Sequence, residues 1–186
     1  MSTLSRGAAT AFALVFAALH APNDTANAAA APVPAVAATP AATSTDGKAE
    51  GTLTVNGTTT KVAYAYAREV EGFFDKTKKD VEVILSDVPL DAKALSDQFA
   101  RGELADQGKI HTFEIIINSE GKPISTMWRH NGFKGPTPSG LSTADVFTAK
   151  TFDGKLIEAS YKSKEPAEFF GNTSAFDVSF RAAVTH

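Results

Sequence analysis

The sequence contains no cysteine. Without cysteine there can be no disulfide framework, no thiolate nucleophile and no zinc site with cysteine ligands, whatever the compartment. An excess of positive charge is also missing, because the formal net charge is -3 and the isoelectric point is near 5.8. Nucleic acid is therefore not an expected partner, and an anionic membrane surface is disfavoured for the same reason.

Long apolar runs are missing as well. The stretch from residue 8 to residue 19 is apolar, but it is shorter than the roughly 20 residues that a membrane-spanning helix needs. It follows a short start with one cation, Arg6, and precedes small residues at positions 26–28. This order is typical of a secretory signal peptide over residues 1–28, with a membrane anchor or an organellar transit peptide as the alternatives. We therefore expect an exported chain, periplasmic or secreted, without a permanent membrane anchor.

Residues 29–49 are rich in alanine and proline and contain no aromatic residue and no Leu, Ile or Met. Such a segment cannot bury enough apolar surface to offset the entropy that ordering it would cost. We interpret it as a disordered tether. Residues 50–186 are then expected to form a single β domain.

An alternation of apolar and polar residues with period two dominates from Glu50 onward. Asn56-Gly57, between two such runs, is the strongest short signal of a hairpin. About eight strands are predicted, at residues 51–55, 59–69, 80–86, 109–118, 122–130, 144–152, 155–162 and 174–184. One helix is predicted over residues 92–104, with Asp91 as its N-cap and with Leu95 and Phe99 on one face. The fold class is therefore mainly β, with mostly antiparallel strands as a small barrel or a two-layer sandwich and one short helix.

Several segments carry a resemblance to other proteins: "GTLTVNG", "AYAYAREVEGFFD", "VEVILSDVPLDAKAL", the later "NSEGKPIS" and the last strand, in which Phe alternates with polar residues. Together they resemble a loose set of exported bacterial proteins of unknown function. The resemblance spans most of residues 50–184. It implies an exported β domain, and it assigns neither an activity nor functional residues.

Two of the four histidines, His111 and His130, stand near the outer ends of two consecutive predicted strands. A two-residue turn at Glu120-Gly121 would place His111 opposite His130 and Phe113 opposite Trp128. A three-residue loop with a left-handed Gly121 would place His111 opposite Arg129, and His130 would then point away. The turn residues favour the second register and the apolar pattern favours the first, so both remain open. Even a facing pair supplies fewer protein ligands than zinc normally has.

Alternating strand directions would gather the helix, two long loops and both histidines at one end of the sheet. Small barrels bind ligands at such a mouth. The candidate ligand-binding residues at this end are His111, Trp128, His130, Phe133, Phe169 and Phe170. Trp128 has an alternative place in the core, and the other doublet, Phe73-Phe74, is expected to plug the opposite end of the core.

Motif searches yield no P-loop, nucleophile elbow, metalloprotease motif or calcium loop in the sequence. We therefore predict no catalytic residue, no metal site and no cofactor. The function that we expect is that of an exported non-enzymatic β domain, which binds a small apolar ligand or an envelope protein through its loop-rich end. The alternatives are a hydrolase or metal-assisted enzyme that uses His111 and His130, and a small outer-membrane β-barrel.

Overall fold

The structure is a computed structural model that describes residues 47–140 and 145–186. The predicted signal peptide and the tether up to residue 46 lie outside the described residues. The first strand already begins at Gly47, and Ala49 is buried in the core. The sheet therefore starts before Glu50, and the predicted tether, 29–49, extends too far.

The described ranges contain eleven strands and two helices in the following order: β1 (Gly47–Val55), β2 (Thr58–Lys61), β3 (Tyr64–Glu71), β4 (Lys79–Ser86), α1 (Ala92–Ser96), α2 (Gln98–Asp106), β5 (Thr112–Ile117), β6 (Pro123–Arg129), β7 (Ser139–Gly140), β8 (Val146–Phe152), β9 (Leu156–Lys162), β10 (Ala167–Phe169) and β11 (Asn172–Thr185). The predicted strand at 59–69 divides into β2 and β3 at Val62 and Ala63. The short strands β7 and β10 were not predicted.

These strands form one sheet with the order β7-β6-β5-β4-β3-β1-β11-β9-β8, in which β2 also pairs with β1 and β10 with β11. The pairs are antiparallel except for a short parallel contact between β3 and β11. The sheet curls into a half-barrel whose edges are β7 and β8. The prediction of a mainly β, antiparallel domain is confirmed, although the strands form one curled sheet rather than two separate layers.

The inner face of the curled sheet is filled by apolar side chains. Phe113 lies at its centre, with ring centroids 4.5 Å from Phe176 and 4.9 Å from Trp128. Tyr161 closes the group at 4.7 Å from Phe176. Because these rings bury large apolar areas and interlock at tilted angles, they contribute strongly to the stability of the domain.

A second apolar cluster lies on the outer face, where the helices cover β3, β4 and β5. Ile84 is buried on this face together with Leu90, Ala94, Ala105 and Ile110. This double covering explains why every residue from Asp80 to Ser86 is buried, which is unusual in a half-exposed antiparallel sheet. In the described parts of the chain, neither helix is long and apolar enough to cross a bilayer.

The predicted single helix is two helices that meet at Asp97. Asp91 caps the N-terminus of α1, as predicted, by accepting a hydrogen bond from the Ala94 N–H. Asp97 ends α1 and caps α2, because its side chain accepts hydrogen bonds from the N–H groups of Phe99 and Ala100. The change of direction at Asp97 leaves Phe99 76% exposed.

Alternating strand directions place the connections at two ends, as the sequence predicted. We call the end formed by residues 56–57, 87–111, 130–138 and 163–171 the loop-rich end. The turns at residues 72–78, 118–122 and 153–155 lie at the opposite end.

Phe73 and Phe74 lie at that opposite end and are 59% and 78% exposed, so the prediction that they plug the core is wrong. Two hydrogen bonds within the turn hold its backbone: the Gly72 N–H donates to Lys78 O, and the Phe73 N–H donates to the Asp80 carboxylate. The rings therefore point outward and contact each other edge to face.

Candidate functional site

The β5–β6 hairpin combines both predicted registers. Its turn is the three-residue loop, since Gly121 N–H donates to Asn118 O and Gly121 has a φ of 76°. Ile117 pairs with Pro123, but Ile116 already pairs with Ser125, so Ile124 forms a bulge. The bulge shifts the rest of the hairpin into the other register. His111 and His130 consequently meet, with ring centroids 4.2 Å apart.

His111 is held by a carboxylate at the end of β4. The Asp87 carboxylate accepts hydrogen bonds from the backbone N–H of His111 at 2.8 Å and from its Nδ1 at 2.7 Å. The other ring nitrogen, Nε2, lies 3.0 Å from Oδ1 of Asn131. Each ring nitrogen of His111 thus faces an oxygen, and a ring that carries a proton on both nitrogens would donate to both.

His130 is held in the neutral state. Its side chain is buried, and the N–H of Gly132 donates to Nδ1 at 2.9 Å. The proton of the neutral ring is therefore on Nε2, which donates to Oγ1 of Thr60 at 3.1 Å. Burial, followed by the charge of His111, lowers the pKa of His130 from 6.5 to about 4, against an opposing effect of Asp87. The two rings are thus held by different partners, His111 by Asp87 and Asn131 and His130 by Gly132 and Thr60.

These hydrogen bonds limit the chemistry of the histidine pair toward an external substrate. His130 donates to the Thr60 hydroxyl and has no free nitrogen with which to take its proton. His111 already uses both nitrogens, one for Asp87 and one for Asn131. No group of three or more metal-ligating side chains is found among the residues that the structure describes. The geometry favours a positioning role for the pair over hydrolysis or zinc binding.

Four of the six predicted ligand-binding residues lie together. His130 contacts Phe133 edge to face at 6.3 Å, and Phe133 contacts Trp128 in the same way at 5.7 Å. Trp128 and Phe133 are both buried, so they belong to the core beneath the histidine pair. Phe169 ends β10 and Phe170 begins the turn that leads to β11, and the centroids of their rings lie 4.7 Å apart.

Two asparagines, Asn56 and Asn172, hold the loop-rich end together. Asn172 is 1% exposed, and its Oδ1 accepts hydrogen bonds from Asn56 Nδ2 and from the Lys134 N–H. Its Nδ2 donates to the carbonyls of Lys134, Phe169 and Phe170. In the sequence, both asparagines indicate only turns, because the partners that join them to other loops, Lys134 and each other, are more than 30 positions away.

A buried charged cluster beneath the helices is the other feature that the sequence did not indicate. The side chain of Arg101 is fully buried and donates two hydrogen bonds to Glu114 and one to Glu82. Its remaining N–H groups reach the carbonyls of Ala94 and Leu95, so all five guanidinium donors are used. Burial raises the pKa of Glu114, but Arg101 and Arg129 outweigh it and hold that pKa below its usual value. With every donor satisfied inside the fold, this cluster is structural.

Comparison of the chain with protein-family models, with curated proteins and with solved structures finds no match. The function is therefore argued from the geometry of the loop-rich end.

Proposed function

We propose that this chain is an exported, non-enzymatic β domain that binds another protein of the cell envelope through its loop-rich end. The observation that carries the proposal is the turn between β10 and β11. Phe170 is 76% exposed at the tip of this turn, and its φ is 47°. A left-handed conformation costs a non-glycine residue about 1–2 kcal/mol.

A buried side chain supports this strained conformation. Asn172 donates hydrogen bonds to the carbonyls of Phe169 and Phe170, both at 3.3 Å, from a position that is itself anchored to Asn56 and Lys134. The fold therefore fixes the backbone under an aromatic ring that faces solvent. Strained backbone held by its surroundings is concentrated at functional sites, and rigid exposed aromatic side chains are typical anchors of protein interfaces.

A protein partner fits this end better than a small apolar ligand does. The aromatic residues expected to line a ligand mouth, Trp128 and Phe133, instead pack against Phe113 and Phe176 inside the sheet. A small apolar ligand needs a concave apolar pocket that surrounds most of its surface. A protruding ring such as that of Phe170 suits insertion into a pocket on a partner.

A photo-crosslinking phenylalanine analogue at position 170 tests the proposal in the envelope of the cells that make the protein. We expect a discrete covalent adduct with another protein, and we expect competition by the unlabelled wild-type chain but not by Phe170→Ala. The matched control is the analogue at position 74, which is equally exposed at the opposite end. Equal labelling from both positions, or none from 170, would contradict the proposal. A lipid-sized molecule retained by the purified chain in native mass spectrometry would favour the small-ligand function instead.

A further inference from the structure

The loop after β6 contains one of two Asn-Gly dipeptides in the sequence, Asn131-Gly132; the other is Asn56-Gly57. In an Asn-Gly pair, the backbone nitrogen of glycine can attack the side-chain carbonyl of asparagine and form a five-membered succinimide ring. Glycine favours this attack because it has no side chain that restricts its backbone or shields its nitrogen. The reaction needs a base for the glycine N–H and a donor for the carbonyl oxygen.

Both groups are present at Asn131-Gly132. The Gly132 N–H, which belongs to the attacking nitrogen, donates to Nδ1 of His130 at 2.9 Å. Oδ1 of Asn131, the oxygen that gains negative charge during the attack, lies 3.0 Å from Nε2 of His111. Asp87 holds His111 in this orientation through Nδ1. An acceptor at the N–H of the nucleophile and a donor at the developing oxyanion are the two elements that accelerate acyl chemistry. Burial lowers the pKa of His130 to about 4 and makes it a weaker base than an ordinary histidine, so the acceleration depends mainly on donation from a protonated His111 to Oδ1.

Glycine at position 132 is required by the same contact. A Cβ atom there would lie 2.9 Å from Nδ1 of His130 and 3.3 Å from Cγ1 of Val55. Any side chain would therefore push the His130 ring away from the backbone nitrogen. The close approach of ring and backbone is thus available only to glycine.

We propose that Asn131-Gly132 is a self-modifying site, at which His130 and His111 accelerate the conversion of Asn131 into aspartate and isoaspartate. The proposal does not depend on the binding function above. The Gly132 nitrogen bonds to Cγ of Asn131 while His130 Nδ1 accepts its proton, and His111 stabilises the charge on Oδ1. The Cγ–Nδ2 bond then breaks, the amide nitrogen takes a proton from solvent and leaves as ammonia, and His130 returns its proton to solvent.

Water then opens the succinimide at either of its two carbonyls. Asn131 is exposed, so water reaches the ring directly. Attack at one carbonyl gives aspartate, and attack at the other gives isoaspartate, whose backbone is one atom longer. The balance is one water consumed and one ammonia released, without an oxidant or a further reactant. The longer backbone would lie in the turn where Phe133 N–H donates to His130 O and Gly132 O accepts from Asn56.

The second dipeptide is a matched internal control. The side chain of Asn56 is held by donation to Gly132 O and Asn172 Oδ1, and its Oδ1 accepts from the Thr173 N–H. Within the described ranges, the side chain of Asn56 forms its hydrogen bonds with Gly132, Asn172 and Thr173 and not with a histidine. Folding should therefore slow the reaction at Asn56 and accelerate it at Asn131.

The test is peptide mapping of the purified full chain during incubation near neutral pH, once folded and once in denaturant. We expect Asn131 to gain the mass of an amide-to-acid exchange at least about tenfold faster in the folded chain than in the denatured chain, a modest part of what positioned acid–base groups can contribute. Both aspartate and isoaspartate should form. A folded rate equal to or below the denatured rate would overturn the proposal, as would aspartate without isoaspartate, which indicates direct hydrolysis.

Two variants test the proton donor. His111→Phe keeps a ring against His130 but removes the donor to Oδ1, and Asp87→Asn removes the carboxylate that holds His111 through Nδ1. In each variant that retains the wild-type tryptophan fluorescence, the rate at Asn131 should fall toward the denatured rate while the rate at Asn56 stays unchanged. An unchanged rate at Asn131 in a folded variant would overturn the role of His111.

Discussion

At the scale of single residues, His130 shows how one hydrogen bond decides the state of a side chain. The Gly132 N–H occupies Nδ1, so protonation of the ring would place two donors against each other. The neighbouring His111 adds a like charge at 4.2 Å between ring centroids.

The sequence pattern predicted both of the registers that compete for the position of His130. It did not predict the bulge at Ile124, because a bulge depends on how the turn fits the rest of the sheet.

The depressed pKa of His130 predicts a pH-dependent stability. Its pKa is about 4 in the folded chain, against an ordinary 6.5, so the unfolded state binds the proton more readily between these values. The contribution of neutral His130 to the free energy of unfolding is complete above about pH 6.5. It is lost as the pH falls toward 4, and the total loss is about 3 kcal/mol. Chemical denaturation at pH 7 and at pH 4.5 measures it.

His130→Gln is the control, because glutamine can accept from Gly132 and donate to Thr60 without titrating. The wild-type chain should lose more stability than this variant over the same pH interval. Equal losses in the two proteins would show that other groups cause the dependence.

Trp128 allows a second prediction at this scale. It is 5% exposed and contacts Phe113, Phe133 and Phe176. Trp128→Ala should lower the free energy of unfolding by about 3–5 kcal/mol, because it leaves a large cavity in the core. Denaturation followed by circular dichroism measures this, with Trp128→Phe as the milder control. A midpoint that hardly changes would refute the core assignment.

At the scale of elements, one side chain links both helices to the sheet, in addition to the apolar cluster beneath them. Arg101 joins α2 to the outer faces of β4 and β5 through Glu82 and Glu114, and to α1 through two carbonyls.

The Asp91 cap was predicted because its signal is local. The break at Asp97 and the burial of Arg101 were not, since an aspartate and an arginine within a helical pattern indicate exposed positions, and the carboxylates that pair with Arg101 come from distant strands.

Arg101→Met should therefore destabilise the chain by up to about 3–5 kcal/mol, because it removes the cation that Glu114 and Glu82 share and leaves each with one other arginine, Arg129 and Arg68. Urea denaturation and amide exchange in α1 and α2 measure the effect. The matched control is Arg181→Met, which removes an exposed arginine 3.6 Å from Glu158 and should cost well under 1 kcal/mol. Similar losses in both variants would contradict the role of Arg101 as the attachment point.

At the scale of the whole molecule, the described domain begins earlier than its composition suggested. Gly47 pairs with Ala65, and Lys48 pairs with both Tyr64 and Arg181. These pairs connect β3 to β11 through β1. Strand alternation, hairpin turns and the gathering of loops at one end were predictable because they follow from local period and strand direction. Residues 47–49 were not, because glycine, lysine and alanine carry no strand signal of their own.

A chain of residues 47–186 should therefore be more stable than a chain of residues 50–186. The shorter chain loses the backbone pairs of Gly47 and Lys48 and the buried Ala49, which should cost about 2 kcal/mol. Parallel urea titrations of the two chains decide the point. Equal free energies of unfolding would show that residues 47–49 do not stabilise the domain and that its boundary lies at Glu50.

The bulge at Ile124 also affects which gene changes this hairpin tolerates. Ile117 pairs with Pro123 and Ile116 with Ser125, so loss of the Ile124 codon would leave every other residue of β6 with its present partner. Loss of a codon nearer to Arg129 would instead shift the preceding residues of β6 by one position. Each of their side chains would then point to the opposite face of the sheet, because side chains alternate along a strand. Insertions and deletions of one codon should therefore accumulate between Asn118 and Ile124 in diverging copies of this gene, and they should be rare in the remainder of the strand.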